Sequence, residues 1–238
     1  MGSLLLVTLV SACGPEPPAT VDFAALTAEQ QRLPENALAA MTAAEGVEVE
    51  LFAAEPLLTN PTNMAIDARG RIWICEANNY RLPYNPKFEE RPAGDRILIL
   101  EDTDGDGRAD DSKVFYQGPE INAALGIAVL GERVIVSHSP YVFVFTDEDG
   151  DDRPERQDTL FTGIDGPDDD HGMHAFVFGP DGRYYFNFGN GGHQLMDRRG
   201  APVVDQLGRP INNRGEPYRQ GMAFRWDPDS SFVEVLGH

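Results

Sequence analysis

Two segments of the chain share one pattern without a gap, and this repeat constrains the fold more than any other feature. Segment 96–106, RILILEDTDGD, corresponds to segment 141–151, YVFVFTDEDGD, at an offset of 45 residues. Each combines a short apolar run with an acidic turn that contains glycine, which is typical of a strand that ends in a loop. A period of about 45 residues made of short strands and turns is typical of β-propeller blades.

Hairpin patterns elsewhere in the chain support the same interpretation. Strand-turn-strand patterns are predicted over 64–76, 126–136 and 175–188, and the first and last align when Gly70 is placed over Gly182. The sequence has no helical periodicity of useful length after residue 45. We therefore predict an all-β fold in which residues 46–238 form part of a β-propeller, with about three to four of its blades. A β-sandwich is the alternative architecture.

Two shorter elements are predicted before these hairpins. Pro34 can occupy the first turn of a helix, and good helix formers follow it through Met41, which predicts one short helix. Residues 14–18, GPEPP, give a stiff and solvated chain, so segment 13–45 is interpreted as a tether that contains this helix. Residues 47–52 alternate apolar and acidic side chains, which predicts a half-buried strand.

The first residues resemble an export signal. Residues 1–12, MGSLLLVTLVSA, are apolar but too short to span a bilayer as a stable helix. The run that ends at Cys13 resembles a bacterial lipobox, in which the cysteine is acylated, and Gly14 after it favours the outer membrane. An ordinary signal peptide and a misplaced start are the alternatives, since no Lys or Arg precedes the apolar run. We expect an exported protein that is lipid-anchored at Cys13, to the outer membrane or the periplasmic side of the envelope.

The net charge excludes one class of partner. Lys and Arg number 19 against 39 Asp and Glu, which gives a net charge of −20. Such a surface repels phosphate backbones and anionic lipid headgroups, so nucleic-acid binding is not expected. Membrane association is expected through the lipid anchor only. Part of the acidity is clustered in Asp-rich loops, which points to cations.

The acidic turns of the 45-residue repeat are candidate calcium loops. The first has carboxylates at positions one, three, five and nine and glycine at six, as an EF-hand loop begins, but position twelve is Lys113. The second has the same carboxylate spacing, with Asp152 in place of the glycine, and is the weaker candidate. Turns capped by these side chains without a metal are the alternative. The candidate Ca²⁺ ligands are Asp102, Asp104, Asp106 and Asp110, and more weakly Asp147, Asp149, Asp151 and Glu155.

Three histidines surround the last predicted hairpin. His171 and His174 precede or open its first strand, and His193 follows its second strand on the side of His171. They are candidates for a general base or metal ligands, with surface or core histidines as the alternative. The three histidines are expected to face one central funnel. Residues 78–80, NNY, follow the first hairpin in a comparable position and are expected to line the same funnel, with a plain turn as the alternative. Cys75 lies in an apolar run and is predicted to be a buried, unreactive thiol.

Several of these segments together resemble a known family. The resemblance is to large bacterial β-propeller proteins called the membrane-bound dehydrogenase family, distant relatives of the glucose/sorbosone dehydrogenases. Those relatives use pyrroloquinoline quinone on a six-bladed propeller. The resemblance covers roughly residues 34–238, and its main segments are 49–56 (VELFAAEP), 70–76 (GRIWICE), 102–110 (DTDGDGRAD), 160–163 (LFTG) and 171–182 (HGMHAFVFGPDG).

The resemblance implies an activity and gives His171 a role in it. In the quinone-dependent sugar dehydrogenases the base is a histidine eight residues before the glycine of a Gly-Pro-Asp turn, which is Gly179 here. By resemblance, His171 would remove the substrate hydroxyl proton while hydride passes to the quinone. Pyrroloquinoline quinone and Ca²⁺ are the expected cofactors, with His193 and Asn122 as candidate cofactor contacts. The expected partner is a small sugar or alcohol, or a glycan.

Two positions depart from the pattern of that family. Its cofactor-contacting arginine follows a Leu-Gly-His sequence, which stands here at 236–238, so we expect an N-terminal fragment of a longer protein. A glutamine of the family corresponds to Ile121, beside Asn122. The alternative function is that of a non-catalytic propeller that binds glycans or proteins at the cell surface.

Overall fold

The chain forms two compact units, one that ends at Leu51 and one that spans Phe52–His238. The computed structural model describes residues 21–80, 89–163, 171–189, 191, 193–212, 216–218, 221–230 and 232–238. Cys13, the predicted signal segment and the acidic residues 168–170 lie outside them. Within the described residues, none of the helices has the length and apolarity that a bilayer crossing requires.

The described part of the first unit contains short 3-10 helices. They span Phe23–Ala25, Gln30–Arg32 and Pro34–Ala40. The last of these is the helix predicted from Pro34, and the proline lies in its first turn, where a missing N–H removes no hydrogen bond.

The strand predicted over residues 47–52 is wrong. These residues have no regular secondary structure. Val47 and Val49 are 57% and 39% exposed, so the apolar side chains of the alternating pattern are not packed against a core. A strand also needs a neighbouring ladder. The described backbone hydrogen bonds of this segment run from the Val47 amide to the Ala44 carbonyl, at 3.0 Å, and from the amide of Ala109, in the loop that contains Asp102, to the Phe52 carbonyl, at 2.8 Å.

The second unit is all-β, as the sequence predicts, and its described strands form three sheets. The first sheet has the order β1 (Pro61–Ile66), β2 (Ile72–Glu76), β3 (Asp95–Glu101) and β4 (Asp111–Gly118). The second has β5 (Gly126–Leu130), β6 (Arg133–His138), β7 (Tyr141–Thr146) and β8 (Arg156–Thr162), with β11 (Met196–Asp197) beside β8. The third has β9 (Met173–Phe178), β10 (Tyr184–Phe188), β13 (Met222–Trp226) and β14 (Phe232–Gly237), with β12 (Val204–Asp205) beside β14. A 3-10 helix, Pro119–Ile121, joins the first two sheets.

Each sheet has four main strands that pair antiparallel with their neighbours in chain order, and β11 adds a further antiparallel strand to the second sheet. Among the described strands, only β12 pairs in parallel. The predicted hairpins are confirmed as β1–β2, β5–β6 and β9–β10. The 45-residue repeat is also confirmed, because its two copies are β3 and β7 with the acidic loops that follow them.

The first strands of the three sheets lie next to one another. On β1, the Asn63 amide donates to the carbonyl of Leu125, which precedes β5, at 3.2 Å. The hydroxyl of Ser137 on β6 donates to the carbonyl of Met173 at the start of β9. Meanders that meet through their first strands are the arrangement of propeller blades, and three such sheets do not make a two-sheet sandwich. The fold is therefore propeller-like.

The core lies between the faces of neighbouring sheets. The first and second sheets bury one cluster between them, made of Trp73, Cys75, Ile97, Ile99, Phe115, Ile127, Val134, Val136, Phe143 and Phe145 together with Ile121 and Ala124. A second cluster joins the second and third sheets and includes Phe161, Phe176, Phe186, Phe188 and Phe224. The outer face of the first sheet packs Ile74, Leu98 and Leu100 against Leu58. Successive side chains of a strand point to opposite faces of its sheet, so one strand contributes side chains to two packed layers.

Candidate functional site

The polar residues of the second unit are divided between two opposite edges of the sheets. In a meander, the first and third strands begin at the edge where the second and fourth end. Because the starts of β1, β5 and β9 lie together, one common edge carries Asn78, Asn79, Asp95, Asn122, His138 and His171. We call it the His171 edge. The opposite edge carries the loops after β3 and β7, and we call it the acidic-loop edge.

His171 is exposed and lies directly before β9. Its carbonyl accepts a hydrogen bond from the Gly191 amide at 2.9 Å, and the Gly172 carbonyl accepts one from the Gly189 amide at 2.9 Å. A Cβ atom at Gly189 would lie 2.2 Å from the carbonyl oxygen of His171, so only glycine permits this approach. The segment after β10 therefore fixes the backbone of His171 while its side chain faces solvent.

His193 lies at the same edge as His171. The chain passes from β10 of the third sheet to β11 of the second along this edge, and the His193 amide donates to the Gly163 carbonyl at the end of β8, at 3.3 Å. The side chain of His193 is exposed. His174 is different, because it is half-buried on β9 and its amide donates to Asn187 Oδ1 at 3.1 Å. The structure thus brings His171 and His193 to one edge and places His174 in the strand.

A buried carboxylate holds two arginines at the first sheet's part of this edge. Glu76, at the end of β2, has no exposed surface. It accepts from Arg96 Nε at 2.6 Å and Nη2 at 2.7 Å, from Arg91 Nη1 at 2.7 Å, and from the Thr59 amide at 2.7 Å. The hydrogen bond to Glu76 raises the pKa of Arg96. Glu76 thus orients both guanidinium groups beside the His171 edge.

Asp95 organises the neighbouring polar residues. It is fully buried and accepts from the amides of Asn79 at 3.0 Å and Ala123 at 2.9 Å. Burial raises the pKa of Asp95 and outweighs these two hydrogen bonds. Asn122 Oδ1 accepts from the Asp95 amide at 2.9 Å and from Asn79 Nδ2 at 3.1 Å. The oxygen of Asn122 thus binds within the protein, which leaves its Nδ2 as the group that could contact a ligand.

Seven of the eight candidate calcium ligands converge at the acidic-loop edge. In the second loop, Asp147, Asp149, Asp151 and Glu155 each bring one oxygen within 4.8 Å of the others. In the first loop, only Asp102, Asp104 and Asp106 do so. Asp110 lies outside this group, and its carboxylate accepts from Thr103 Oγ1 at 2.8 Å. Clustered carboxylate oxygens are the donor set that Ca²⁺ prefers, and the second loop supplies more of them.

Both loops are also held by hydrogen bonds from their own backbone. Asp102 accepts from the amides of Gly105 at 2.7 Å and Gly107 at 2.9 Å, and the bond from Gly107 contributes most to lowering the pKa of Asp102. Asp147 accepts from the Gly150 amide at 2.8 Å and the Asp152 amide at 3.0 Å. The turns are therefore capped by their first aspartate, as the alternative without metal expects.

Asp152 links the second sheet's loop to the first sheet. It is 5% exposed and accepts from Arg71 Nη1 at 2.9 Å, from Arg69 at 3.2 Å and from the Lys113 ammonium. Burial alone would raise the pKa of Asp152, but the hydrogen bonds from Lys113 and Arg71 outweigh it and lower the pKa. Arg71 is held in turn by Asp67, at 2.8 Å. These contacts stabilise the interface between the two sheets.

One family profile decides the chain's membership. The family described as "Domain of unknown function (DUF7133)" matches residues 33–230, which include every described strand through β13. The chain belongs to this family. No curated protein matches the chain.

Solved structures resemble this DUF7133 chain only remotely. The calcium structure of a Trichoderma reesei carbohydrate-active enzyme of family AA12 is 15% identical, with a TM-score of 0.44 over 71% of this chain and 42% of that chain. The holo pyranose dehydrogenase PQQ domain from Coprinopsis cinerea is 19% identical, with a TM-score of 0.43 over 75% of this chain and 48% of that chain. The chain thus spans less than half the length of these two proteins. Similarities at this level carry no functional assignment.

The sequence analysis of the DUF7133 chain missed the carboxylates that hold the His171 edge together. Glu76 follows four apolar strand residues and Asp95 comes shortly before an apolar run. The sequence pattern is therefore sufficient to predict that both carboxylates lie at strand ends. Their partners, Arg96 and Asn122, lie 20 and 27 residues further along the chain. Cys75 is confirmed as buried, and burial together with the charge of Asp95 raises the pKa of its thiol to about 12.

Proposed function

We propose that this DUF7133 chain is part of an exported, lipid-anchored oxidoreductase that removes hydride from a hydroxyl-bearing carbon of a sugar or alcohol, with His171 as the general base. The observation that carries the proposal is the placement of His171. Its side chain is exposed at the His171 edge, its backbone is fixed by Gly189 and Gly191, and it stands eight residues before the Gly179 turn.

The surroundings of His171 suit proton abstraction. Histidine is the most common general base in enzymes, and a base must reach its substrate from a fixed position. The segment after β10 supplies that position, because the Gly191 amide donates to the His171 carbonyl at 2.9 Å and the Gly189 amide donates to the Gly172 carbonyl at 2.9 Å. An exposed histidine with its backbone held in this way allows a hydroxyl group to approach from solvent.

Pyrroloquinoline quinone would need donors for its three carboxylates. The chemistry that such a quinone supplies when bound is acceptance of the hydride. Among the described residues at the His171 edge, the arginines are Arg91 and Arg96, whose side chains are 22% and 25% exposed. Both arginines pair with the fully buried Glu76, and each keeps guanidinium N–H groups beyond those bonds. With Asn122 Nδ2 and His193 they would hold an anionic ring at this edge.

Calcium and the lipid anchor belong to the same proposal. Ca²⁺ would bind the carboxylates of the acidic-loop edge, opposite His171, so it would stabilise the loops after β3 and β7 and take no part in proton transfer. Acylation of Cys13 is supported by the sequence of the first 13 residues. It would tether the chain at the envelope.

A reconstitution experiment tests the proposed function. The full-length protein is incubated with pyrroloquinoline quinone and Ca²⁺, and reduction of an artificial electron-accepting dye is followed with a panel of aldoses, polyols and alcohols. The proposal predicts dye reduction that requires both the quinone and a substrate. Sugar binding in calorimetry without dye reduction would contradict it and favour the non-catalytic, glycan-binding propeller.

A further inference from the structure

A groove lined by several arginines lies between the second and third sheets. It has a volume of about 510 Å³, within the range of small-ligand sites. Its walls come from strands and loops of the two sheets, and the residues that matter below are Arg133, Phe161, Arg198, Arg199, Trp226 and Asp229. His171 does not line it, so the groove is separate from the proposed oxidation site.

Three arginines line this groove in a chain whose net charge is −20. Arg199 is paired with Asp197 at 3.1 Å. Arg133 and Arg198 are exposed, and neither forms an ion pair with any residue that the structure describes. Two guanidinium groups thus stand without a neutralising partner beside the groove. In a strongly acidic protein this is the opposite of the general surface charge, and it favours an anionic ligand.

The other wall of the groove is aromatic and rigid. The Trp226 ring contacts Phe161 edge-to-face, with centroids 5.2 Å apart, and lies 5.2 Å from the Tyr184 ring. Trp226 is half-buried, so these contacts fix the ring plane while part of the ring still faces the groove. Phe232, which is 38% exposed, extends the apolar surface. A ligand with an apolar ring face can pack here without ordering flexible side chains.

Asp229 restricts the kind of anion further. It lines the groove and is exposed, and its carboxylate accepts no hydrogen bond from the described residues. Asp229 and Asp197 would repel a dianion such as a phosphate ester. A carboxylate oxygen is, however, a strong acceptor for hydroxyl groups. The groove therefore fits one negative charge together with several hydroxyls on a ring.

We propose that this groove binds an acidic saccharide, a chain or unit of uronic acid. Its carboxylate would pair with the guanidinium groups of Arg133 and Arg198, which present parallel N–H donors to a planar carboxylate. Its ring would pack on Trp226, and a hydroxyl would donate to Asp229. The site gives the protein a glycan contact that is independent of the chemistry at His171.

Calorimetric titration with digalacturonate, at low ionic strength, tests this proposal. Saturable binding is expected for the full chain, and no saturable binding is expected for the neutral disaccharide galactobiose. Arg198→Gln and Arg133→Gln are each expected to weaken binding at least about tenfold, a loss of about 1.4 kcal/mol. Arg32→Gln removes the same charge from an exposed residue outside the groove and is expected to leave the affinity unchanged.

Tryptophan fluorescence gives a second readout. Trp226 is one of two tryptophans in the chain, and the other, Trp73, is buried between the first two sheets. Digalacturonate should change the emission of the wild type, and Trp226→Phe should abolish the change. Equal affinity for galactobiose, absence of saturable binding, or unchanged binding in both arginine variants with wild-type melting temperature would each overturn the proposal.

Discussion

Arg71 Nη1 donates to Asp152 Oδ1 at 2.9 Å, and this ion pair joins the first sheet to the second. Their side chains are 6% and 7% exposed. In the 45-residue repeat, Asp152 stands where the first copy has Gly107, and both adopt positive φ angles, 67° and 88°. Aspartate tolerates this conformation less well than glycine. The backbone conformation of this turn favours glycine, and the ion pair with Arg71 explains why aspartate occupies the position instead.

Replacing Asp152 should destabilise the propeller unit. Asp152→Asn would leave Arg71 buried with only Asp67 as a partner, and we expect a loss of about 2 kcal/mol. For a chain of this size the melting temperature should fall by about 4–8 °C. Asp158→Asn is the matched control, because Asp158 pairs with Arg156 while 53% exposed, and it should cost under about 1 kcal/mol. Equal melting temperatures for both variants would contradict the role of Asp152.

Acid should weaken the fold partly through Asp205. Burial alone would raise the pKa of Asp205, but hydrogen bonds from the Tyr218 hydroxyl and from Arg209 outweigh it and lower the pKa from 3.8 to about 2. A lowered folded-state pKa stabilises the protein above the ordinary pKa, and this contribution is lost as pH falls through the folded value. The melting-temperature difference between wild type and Asp205→Asn should therefore be largest near neutral pH and shrink from about pH 4 to about pH 2. A difference that does not vary with pH would contradict this assignment.

Cys75 should resist alkylation in the folded protein. Its thiol is fully buried, and its pKa is raised to about 12 by burial and by the charge of Asp95, so almost no thiolate exists at pH 8. Iodoacetamide at pH 8 should modify Cys75 only after denaturation, as measured by peptide mass spectrometry. Modification of Cys75 in the native protein at the rate of a free thiol would show that the first sheet opens readily.

Calcium should raise the melting temperature through the acidic-loop edge. Removing Ca²⁺ with EDTA should lower the melting temperature, since bound ion stabilises only the folded state. Asp149→Asn combined with Asp151→Asn should abolish most of the calcium effect, because the second loop gathers four carboxylates. Asp111→Asn, an exposed carboxylate outside both clusters, is the control. A calcium effect that survives the double substitution would contradict the site in the second loop.

Local patterns in this chain predict local structure well. The β1–β2 hairpin follows from residues close in sequence, since Asp67 caps the amides of Arg69 and Arg71 and Gly70 takes a φ of +85°. The strand predicted over 47–52 failed because alternation says nothing about whether a partner strand exists. Asp110 has the carboxylate spacing of its loop, but spacing alone does not show that Thr103 donates to it or that its oxygens lie outside the cluster of Asp102, Asp104 and Asp106.

Long-range contacts explain the rest of what sequence analysis could not supply. The offset from Gly179 points to His171 only through the family resemblance, and the glycines that hold its backbone, Gly189 and Gly191, act across the hairpin. The Glu76–Arg96 and Asp152–Arg71 pairs depend on which strands become neighbours. The arginine-lined groove depends on how two sheets meet. None of these relationships has a periodic signature in the sequence.

The role of His171 is tested most directly by the turnover number of the full-length protein, reconstituted with pyrroloquinoline quinone and Ca²⁺ and supplied with the best substrate from the panel. His171→Ala should lower kcat at least about a hundredfold, because general-base catalysis contributes that much or more. His174→Gln should change kcat little, since that side chain is half-buried in β9. Wild-type kcat in His171→Ala, with dye reduction still dependent on quinone, would contradict the assignment of His171 as the base.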